Sequence, residues 1–176
     1  MLIVEASASD LEDVLAVSRV AFEGEDVPTL VRGLMDDPSA RPLLSLIAVD
    51  GGRTMGHALF SAARVEAEED SASAVILGPL AVVPEAQRKG VGGLLLEAGC
   101  RRLGESGIEL VFLAGDPGYY SRHGFEPAHR HGFLPPFPVT PEEAWMVRAL
   151  TPDALGLAAG EVICADALNK AEHWRE

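Results

Sequence analysis

Pro84-Glu85-Ala86-Gln87-Arg88-Lys89-Gly90-Val91-Gly92-Gly93 follows an apolar run, Ala74 to Val82, and opens a helical pattern that extends from Gly90 to Gly104. A loop that leaves a strand and enters a helix presents the unpaired N–H groups of the first turn and the positive end of the helix dipole, a combination suited to phosphate oxygens. Gly90, Gly92 and Gly93 leave out Cβ atoms that would keep a phosphate from the main chain, and Arg88 and Lys89 add positive charge. Two commoner phosphate loops are excluded. GxxxxGK[ST] is absent, and the third glycine of a dinucleotide fingerprint would fall where Leu95 stands. The glycines alone fit either a phosphate cradle or a flexible helix entry.

Working outward, the spacing predicts a mixed α/β chain. Leu2 to Val4 reads as a strand, and Ser9-Asp10-Leu11-Glu12 reads as a capping box. Leu11, Val14, Leu15, Ser18, Ala21 and Phe22 recur at helical spacing until Gly24. A shorter helix is expected over Pro28 to Met35. Leu43 to Val49 and Thr54 to Val65 make a hairpin about Asp50-Gly51-Gly52, followed by an acidic turn from Glu66 to Asp70. Gly78-Pro79 inside the next strand, Ala74 to Val82, predicts a bulge. On the helix after the glycine loop, Val91, Leu94, Leu95 and Ala98 are expected inward, with Glu97 and Arg101 as an exposed i,i+4 pair. Leu110 to Ala114 completes a strand–helix–strand crossover, which makes the two strands parallel. A Pro-rich loop near Leu134 to Pro141, a strand near Ala144 to Leu150 and a last one at Glu161 to Ala165 follow. Without repeats or a low-complexity linker, residues 1–176 read as a single domain.

Composition narrows the function. Fourteen Lys and Arg against 27 Asp and Glu give a formal charge of −13, unsuited to a generic nucleic-acid or anionic-membrane binder. The acidic balance mildly favours a cationic amine as partner. Mean hydropathy is +0.15, and the densest apolar run, broken at Gly78-Pro79, is far short of the roughly 20 residues of a membrane span. Two cysteines, Cys100 and Cys164, are too few for a disulfide framework. MLIVEASASD lacks the basic start and apolar core of a secretory signal. A cytoplasmic protein is the expectation.

Gln87-Arg88-Lys89-Gly90-Val91-Gly92 matches the Q/R-x-x-G-x-G/A signature of the GNAT superfamily of N-acetyltransferases, and Leu80-Ala81-Val82-x-Pro84 precedes it in the usual way. Tyr120-Ser121-Arg122-His123-Gly124-Phe125 resembles the family's Y-x-x-x-G-F element, one helix and one strand downstream. Gly115-Asp116-Pro117-Gly118-Tyr119-Tyr120 with Gly124-Phe125-Glu126-Pro127 is similar to the YhbS-like subgroup. The matched core spans Val75 to Pro127, with the C-terminal strand and tail at 144–176 beyond it. The resemblance implies a mostly antiparallel mixed sheet, flanked by helices, whose central parallel pair splays. It implies acetyl-CoA as cosubstrate, with no metal. Gln87, Arg88, Lys89, Gly90, Val91, Gly92 and Gly93 match the pyrophosphate loop, and the main chain of Leu80, Ala81 and Val82 matches the strand that pairs with the pantetheine arm. Where many members carry an Asn upstream of the Tyr, this segment is shorter and offers Asp116-Pro117.

The implied reaction is direct attack of an amine on the thioester in a ternary complex. A main-chain N–H near Leu80 or Val82 would polarise the carbonyl. Tyr120, with a reference pKa of about 10, would donate to a thiolate whose own is roughly 8.5 by analogy with Cys. Tyr119 is assigned to packing, in the core or against the cofactor. Asp116 either caps the following turn or orients the amine. No general base stands out; Glu23, Glu25, His57, Asp116, His131 and water are the candidates, with His57 expected to be a satisfied strand histidine. His123, His129 and His131 crowd one region without the carboxylate or Cys set of a metal site, and Cys100 reads as packing. The acceptor is a small-molecule or peptide amine. A homodimer is compatible with the sequence, and the alternative function is a non-catalytic acyl-CoA-binding or sensing module on the same fold.

Overall fold

A computed structural model describes residues 1–67 and 71–175. Among the described residues, eight strands form one sheet: β1 (Leu2–Glu5), β2 (Leu44–Asp50), β3 (Arg53–Glu66), β4 (Ser73–Val82), β5 (Leu110–Ala114), β6 (Glu126–Pro127), β7 (Trp145–Ala149) and β8 (Glu161–Ile163). Their order is β1-β2-β3-β4-β5-β7-β6, with β8 on the far end of β3. All neighbours are antiparallel except β4 and β5, which pair parallel across the crossover. The expected mixed architecture, with helices on both faces, is what forms.

The helices are α1 (Leu11–Phe22), α2 (Asp26–Met35), α3 (Val91–Glu105) and the single turn α4 (Pro117–Tyr120). Strand alternation divides the core in two. Ile47, Leu59, Ile76 and Phe112 pack under α1 and α2, whereas Leu46, Phe60, Val75, Leu77, Val111 and Leu113 pack under α3. β5 is buried on both faces, which explains its unbroken apolar run. Phe112 stacks on Trp145 at a centroid distance of 5.2 Å.

Several local expectations shift. The reciprocal cap lies two residues earlier: the Ser7 N–H donates to the Asp10 carboxylate at 2.8 Å, over a 3-10 turn that precedes α1. Glu23 takes the left-handed position at the end of α1, ahead of Gly24. α2 begins at Asp26, and Pro28 still falls in its first turn, where no N–H is required. Gly51 and Gly52 both have positive φ, as a two-residue hairpin turn demands. Of the acidic turn, Glu66 closes β3 and residues 68–70 lie outside the described residues. The last strand stops at Ile163.

Two corrections come from packing. Leu94 is exposed and Leu96 is buried in its stead, because α3 turns its Gly99 toward the ring of Phe60. A glycine reads as a gap in the apolar pattern when it is the closest point of contact. Glu97 does not pair with Arg101; it holds Arg148 of β7 at 2.8 Å, and Arg148 also donates to the His123 carbonyl at 3.1 Å. That bridge joins α3 to the segment after α4. A Cβ at Gly99 would overlap the buried Phe60 ring, so Gly99→Ala should cost about 1–3 kcal/mol by overpacking, more than the ~1 kcal/mol of helix propensity gained. A thermal midpoint lowered by several degrees is the expected result.

Candidate functional site

The parallel ladder between β4 and β5 is three residues long, from Ala74↔Leu110 to Ile76↔Phe112. Beyond Ile76 the register between β3 and β4 slips, so that Gly78 and Pro79 together face Leu59 alone. This is the expected bulge, and it coincides with the point where β4 leaves β5. Leu77 to Val82 stay bonded to β3 while their other edge opens into a V.

On the α3 side of the V lies a cleft of about 690 Å³. Leu80 and Val82 form one wall, the loop Ala86–Gly93 without Lys89 forms the end, and Tyr119, Tyr120, Arg122 and His123 form the other wall. Gly90 caps α3 at φ 83° with open space where a Cβ would be, and Arg88 is also left-handed at φ 64°. The N–H groups of Val91, Gly92 and Gly93 belong to the first turn of α3 and have no intrahelical partner. Gln87 donates its side-chain N–H to the Val82 carbonyl at 3.0 Å and ties the loop to the strand. A phosphorylated ligand fits this end: N–H groups at a helix start, an open glycine, and two guanidinium groups in a chain of charge −13.

Gly92 and Gly93 have a second reason to be glycine. A Cβ on Gly92 would sit 2.6 Å from the Tyr119 hydroxyl, and one on Gly93 would sit 3.0 Å from His123. Both rings therefore lie directly on the helix start. The Arg122 guanidinium stands 5.4 Å over the Tyr119 ring. In the sequence Arg122 is quoted only inside the Y-x-x-x-G-F element, and His123 there and among the crowded histidines, with neither placed at the cleft, yet they stand three and four residues after Tyr119, one helical turn along the same segment. Two residues expected at the site do not line the cleft. Ala81 is buried opposite His57, and the Lys89 side chain is not among the cleft walls.

Tyr120 packs edge-on against Tyr119 (4.9 Å) and Phe125 (5.8 Å). Its ring lies 2.5 Å from the place a Gly115 Cβ would take, so Gly115 admits it. Burial, with smaller contributions from Tyr119 and Asp116, raises its pKa well above the ordinary phenol value. The hydroxyl stays protonated. Asp116 accepts the Gly118 N–H at 3.0 Å and caps α4.

A second cavity, about 380 Å³, opens on the other side of the V. Phe22, Val27 and Leu30 from the first two helices face Leu168, His173 and Trp174 from the C-terminal segment across it. Leu80 and Tyr120 line both cavities. Of the base candidates, Asp116 alone lines either one. Glu25 pairs with Arg19 and His131 with Glu126. His57 is fully buried, with Nε2 2.8 Å from the Ser45 hydroxyl and Nδ1 without a partner. Only half of its hydrogen-bonding capacity is satisfied, and burial pushes its pKa down to about 4.

His57 thus predicts a pH dependence of stability. The folded state holds it neutral, so its contribution is intact above the unfolded pKa near 6.5 and is lost as pH falls toward 4. The loss amounts to roughly 3 kcal/mol at about 1.4 kcal/mol per unit. Thermal midpoints of the native chain should fall over that window more steeply than those of His57→Leu; parallel curves would contradict this assignment.

A family model described as an acetyltransferase (GNAT) domain matches residues 3–128. The chain is 44% identical over 162 residues to the uncharacterized N-acetyltransferase YjhQ of Escherichia coli (strain K12), covering 90% of this chain and 88% of that protein. It is 34% identical over 163 residues to the uncharacterized N-acetyltransferase YhbS of the same strain, covering 92% and 95%. The crystal structure of Escherichia coli YhbS in complex with CoA superposes with a TM-score of 0.86 over 96% of this chain and 92% of that one, at 32% identity. A GNAT family acetyltransferase from Brucella melitensis in complex with acetyl-CoA gives a TM-score of 0.75 at 26% identity, over 95% and 97%.

Proposed function

This chain belongs to the GNAT acetyltransferases, and on that premise we propose that residues 1–176 form one domain that transfers the acetyl group of acetyl-CoA to an amine within a ternary complex. The observation that carries the reading is the pair of cavities meeting at Leu80 and Tyr120. Donor and acceptor enter from opposite sides of the splayed strands and meet beside one protonated hydroxyl. The bound cosubstrate supplies a thioester whose C–S bond is exchanged for a C–N bond, with CoA leaving as the thiol and one amine proton passing to solvent.

The chain's own groups supply binding, orientation and charge stabilisation. The N–H groups of Val91, Gly92 and Gly93 receive the pyrophosphate, with Arg88 and Arg122 alongside. Gln87 fixes the loop on β4. Leu80 and Val82 face the open edge, where a main-chain N–H can hold the thioester carbonyl. Cys100 lines neither cavity, and burial pushes its thiol up to about 11, which favours direct transfer over an acyl-cysteine. We place the protein in the cytoplasm, a reading supported by two cysteines that are both free and buried.

Magnitudes refine the part played by Tyr120. A phenol raised above its usual value lies well above a thiol near 8.5, so handing its proton to the thiolate is uphill. The hydroxyl instead stabilises the developing sulfur charge by a hydrogen bond. Bonds to charged groups are worth about 1.5–3 kcal/mol, or roughly 10–150-fold in rate. Tyr120→Phe should therefore lower kcat by that factor and leave acetyl-CoA affinity nearly unchanged. Unaltered turnover would move the role to another group or to water, and would favour a non-catalytic sensing module if no acceptor is turned over at all.

Cofactor binding is tested separately. Acetyl-CoA at about 100 times its Kd should add roughly 2.7 kcal/mol, raising the midpoint by several degrees at roughly 2–4 °C per kcal/mol for this size. Gly90→Val places a side chain in the open cradle at a left-handed φ, and should abolish the rise at a cost of about 1–2 kcal/mol to the fold. A rise that survives the substitution would refute the loop assignment.

A further inference from the structure

The second cavity has walls that define what it can accept. Its large surfaces are apolar: Phe22 and Leu30 on one side, Leu168 and Trp174 on the other. The Trp174 indole N–H already donates to the Leu168 carbonyl at 3.0 Å, and its ring packs against Trp145 at 5.9 Å and Phe137 at 6.4 Å, so it offers the slot apolar surface and no free donor. Phe22 ends α1 with 46% of its surface exposed, an aromatic ring held out over the slot. Among the described residues lining it, Asp116 is the one carboxylate, and that side chain already caps α4. A polyamine or an aminoglycoside brings several ammonium groups, each of which needs a carboxylate or water. The lining offers one such carboxylate, enough for a single ammonium and not for several.

Resting on the acetyltransferase reading above, we propose that the acceptor is a small arylalkylamine, a single primary amine on a compact apolar body, seated between Phe22 and Trp174 with its nitrogen at Tyr120. A volume of about 380 Å³ is at the small end of ligand pockets and admits one ring with a short chain. Net charge and lining act separately here: Glu23, Asp26 and Glu172 flank the slot in sequence beside Phe22, Val27 and His173, while its walls are apolar and select by area. The same walls bear on the missing base. Desolvation disfavours an ammonium, so an amine that enters an apolar slot is delivered as the free base that attacks the thioester. Its first proton goes to water; after C–N bond formation the second passes, through water beside Asp116 and His173, to the CoA thiolate as the C–S bond breaks, so that CoA leaves as the thiol.

Steady-state thiol release from acetyl-CoA tests this with 2-phenylethylamine and tryptamine against spermidine, kanamycin and a peptide with an N-terminal Phe. The arylalkylamines should exceed the polycations and the peptide at least tenfold in kcat/KM. Phe22→Glu, at an exposed position that the fold tolerates, should raise KM for 2-phenylethylamine about tenfold without moving KM for acetyl-CoA, and Phe22→Leu should restore most of it. Preference for spermidine, kanamycin or the peptide overturns the proposal, as does a Phe22→Glu enzyme with unchanged KM. If acetyl-CoA raises the thermal midpoint but none of the amines releases thiol, the acceptor assignment fails and cofactor binding stands. If acetyl-CoA itself gives no rise, the acetyltransferase reading falls, and this inference with it.

Discussion

Three paired residues set the shape of the site. β4 and β5 run parallel only from Ala74 to Ile76, and the residue inserted at Gly78-Pro79 then carries β4 away with β3. A parallel pair with both faces covered ordinarily continues, since each further step satisfies another N–H and carbonyl. Here that edge is given up over Leu77 to Val82, and a ligand that pairs like a strand is the natural way to satisfy it. The loop from Gln87 to Gly93, the two tyrosines and the second cavity are all arranged around this divergence.

The divergence is held open from both sides. On the α3 face, Gln87 binds the loop to Val82, and Arg148 joins Glu97 of α3 to the His123 carbonyl. On the other face, α1, α2 and the C-terminal segment pack together, with Trp174 resting on Trp145. Each side therefore has its own core and its own cavity. Among the described residues, only Leu80 and Tyr120 line both cavities. The walls of the second cavity come largely from segments that contribute nothing to the glycine loop.

Electrostatics follow the same division. The first cleft gathers Arg88 and Arg122 in a chain that is otherwise strongly acidic, whereas the second cavity is lined by apolar residues with Asp116 as its one carboxylate among the described residues. Burial acts on Tyr120, Cys100 and His57 alike by favouring the neutral form. The outcome differs with position. Tyr120 becomes a stable donor at the junction, while Cys100 and His57, away from either cavity, are packing residues.

The local part of this protein was legible from its residues. Strand and helix periods, the glycine turn at 51–52, the bulge at Gly78-Pro79 and the loop from Gln87 to Gly93 depend on neighbours within a few positions, and they formed close to where they were read. The motif residues Leu80, Val82, Gln87, Arg88, Gly90, Val91, Gly92, Gly93, Tyr119 and Tyr120 do meet around one cleft. What needed the tertiary structure was every pairing across distance: Glu97 with Arg148 and not Arg101, Leu94 turned outward by Gly99 against Phe60, and Ala81 facing the core. The second cavity belongs to this second kind. Phe22, Leu30 and Trp174 lie up to about 150 residues apart in the chain, and no periodicity links them. A motif records contacts that the backbone makes with a constant ligand. Walls assembled from distant side chains leave no such spacing, so their chemistry appears only when the chain has packed.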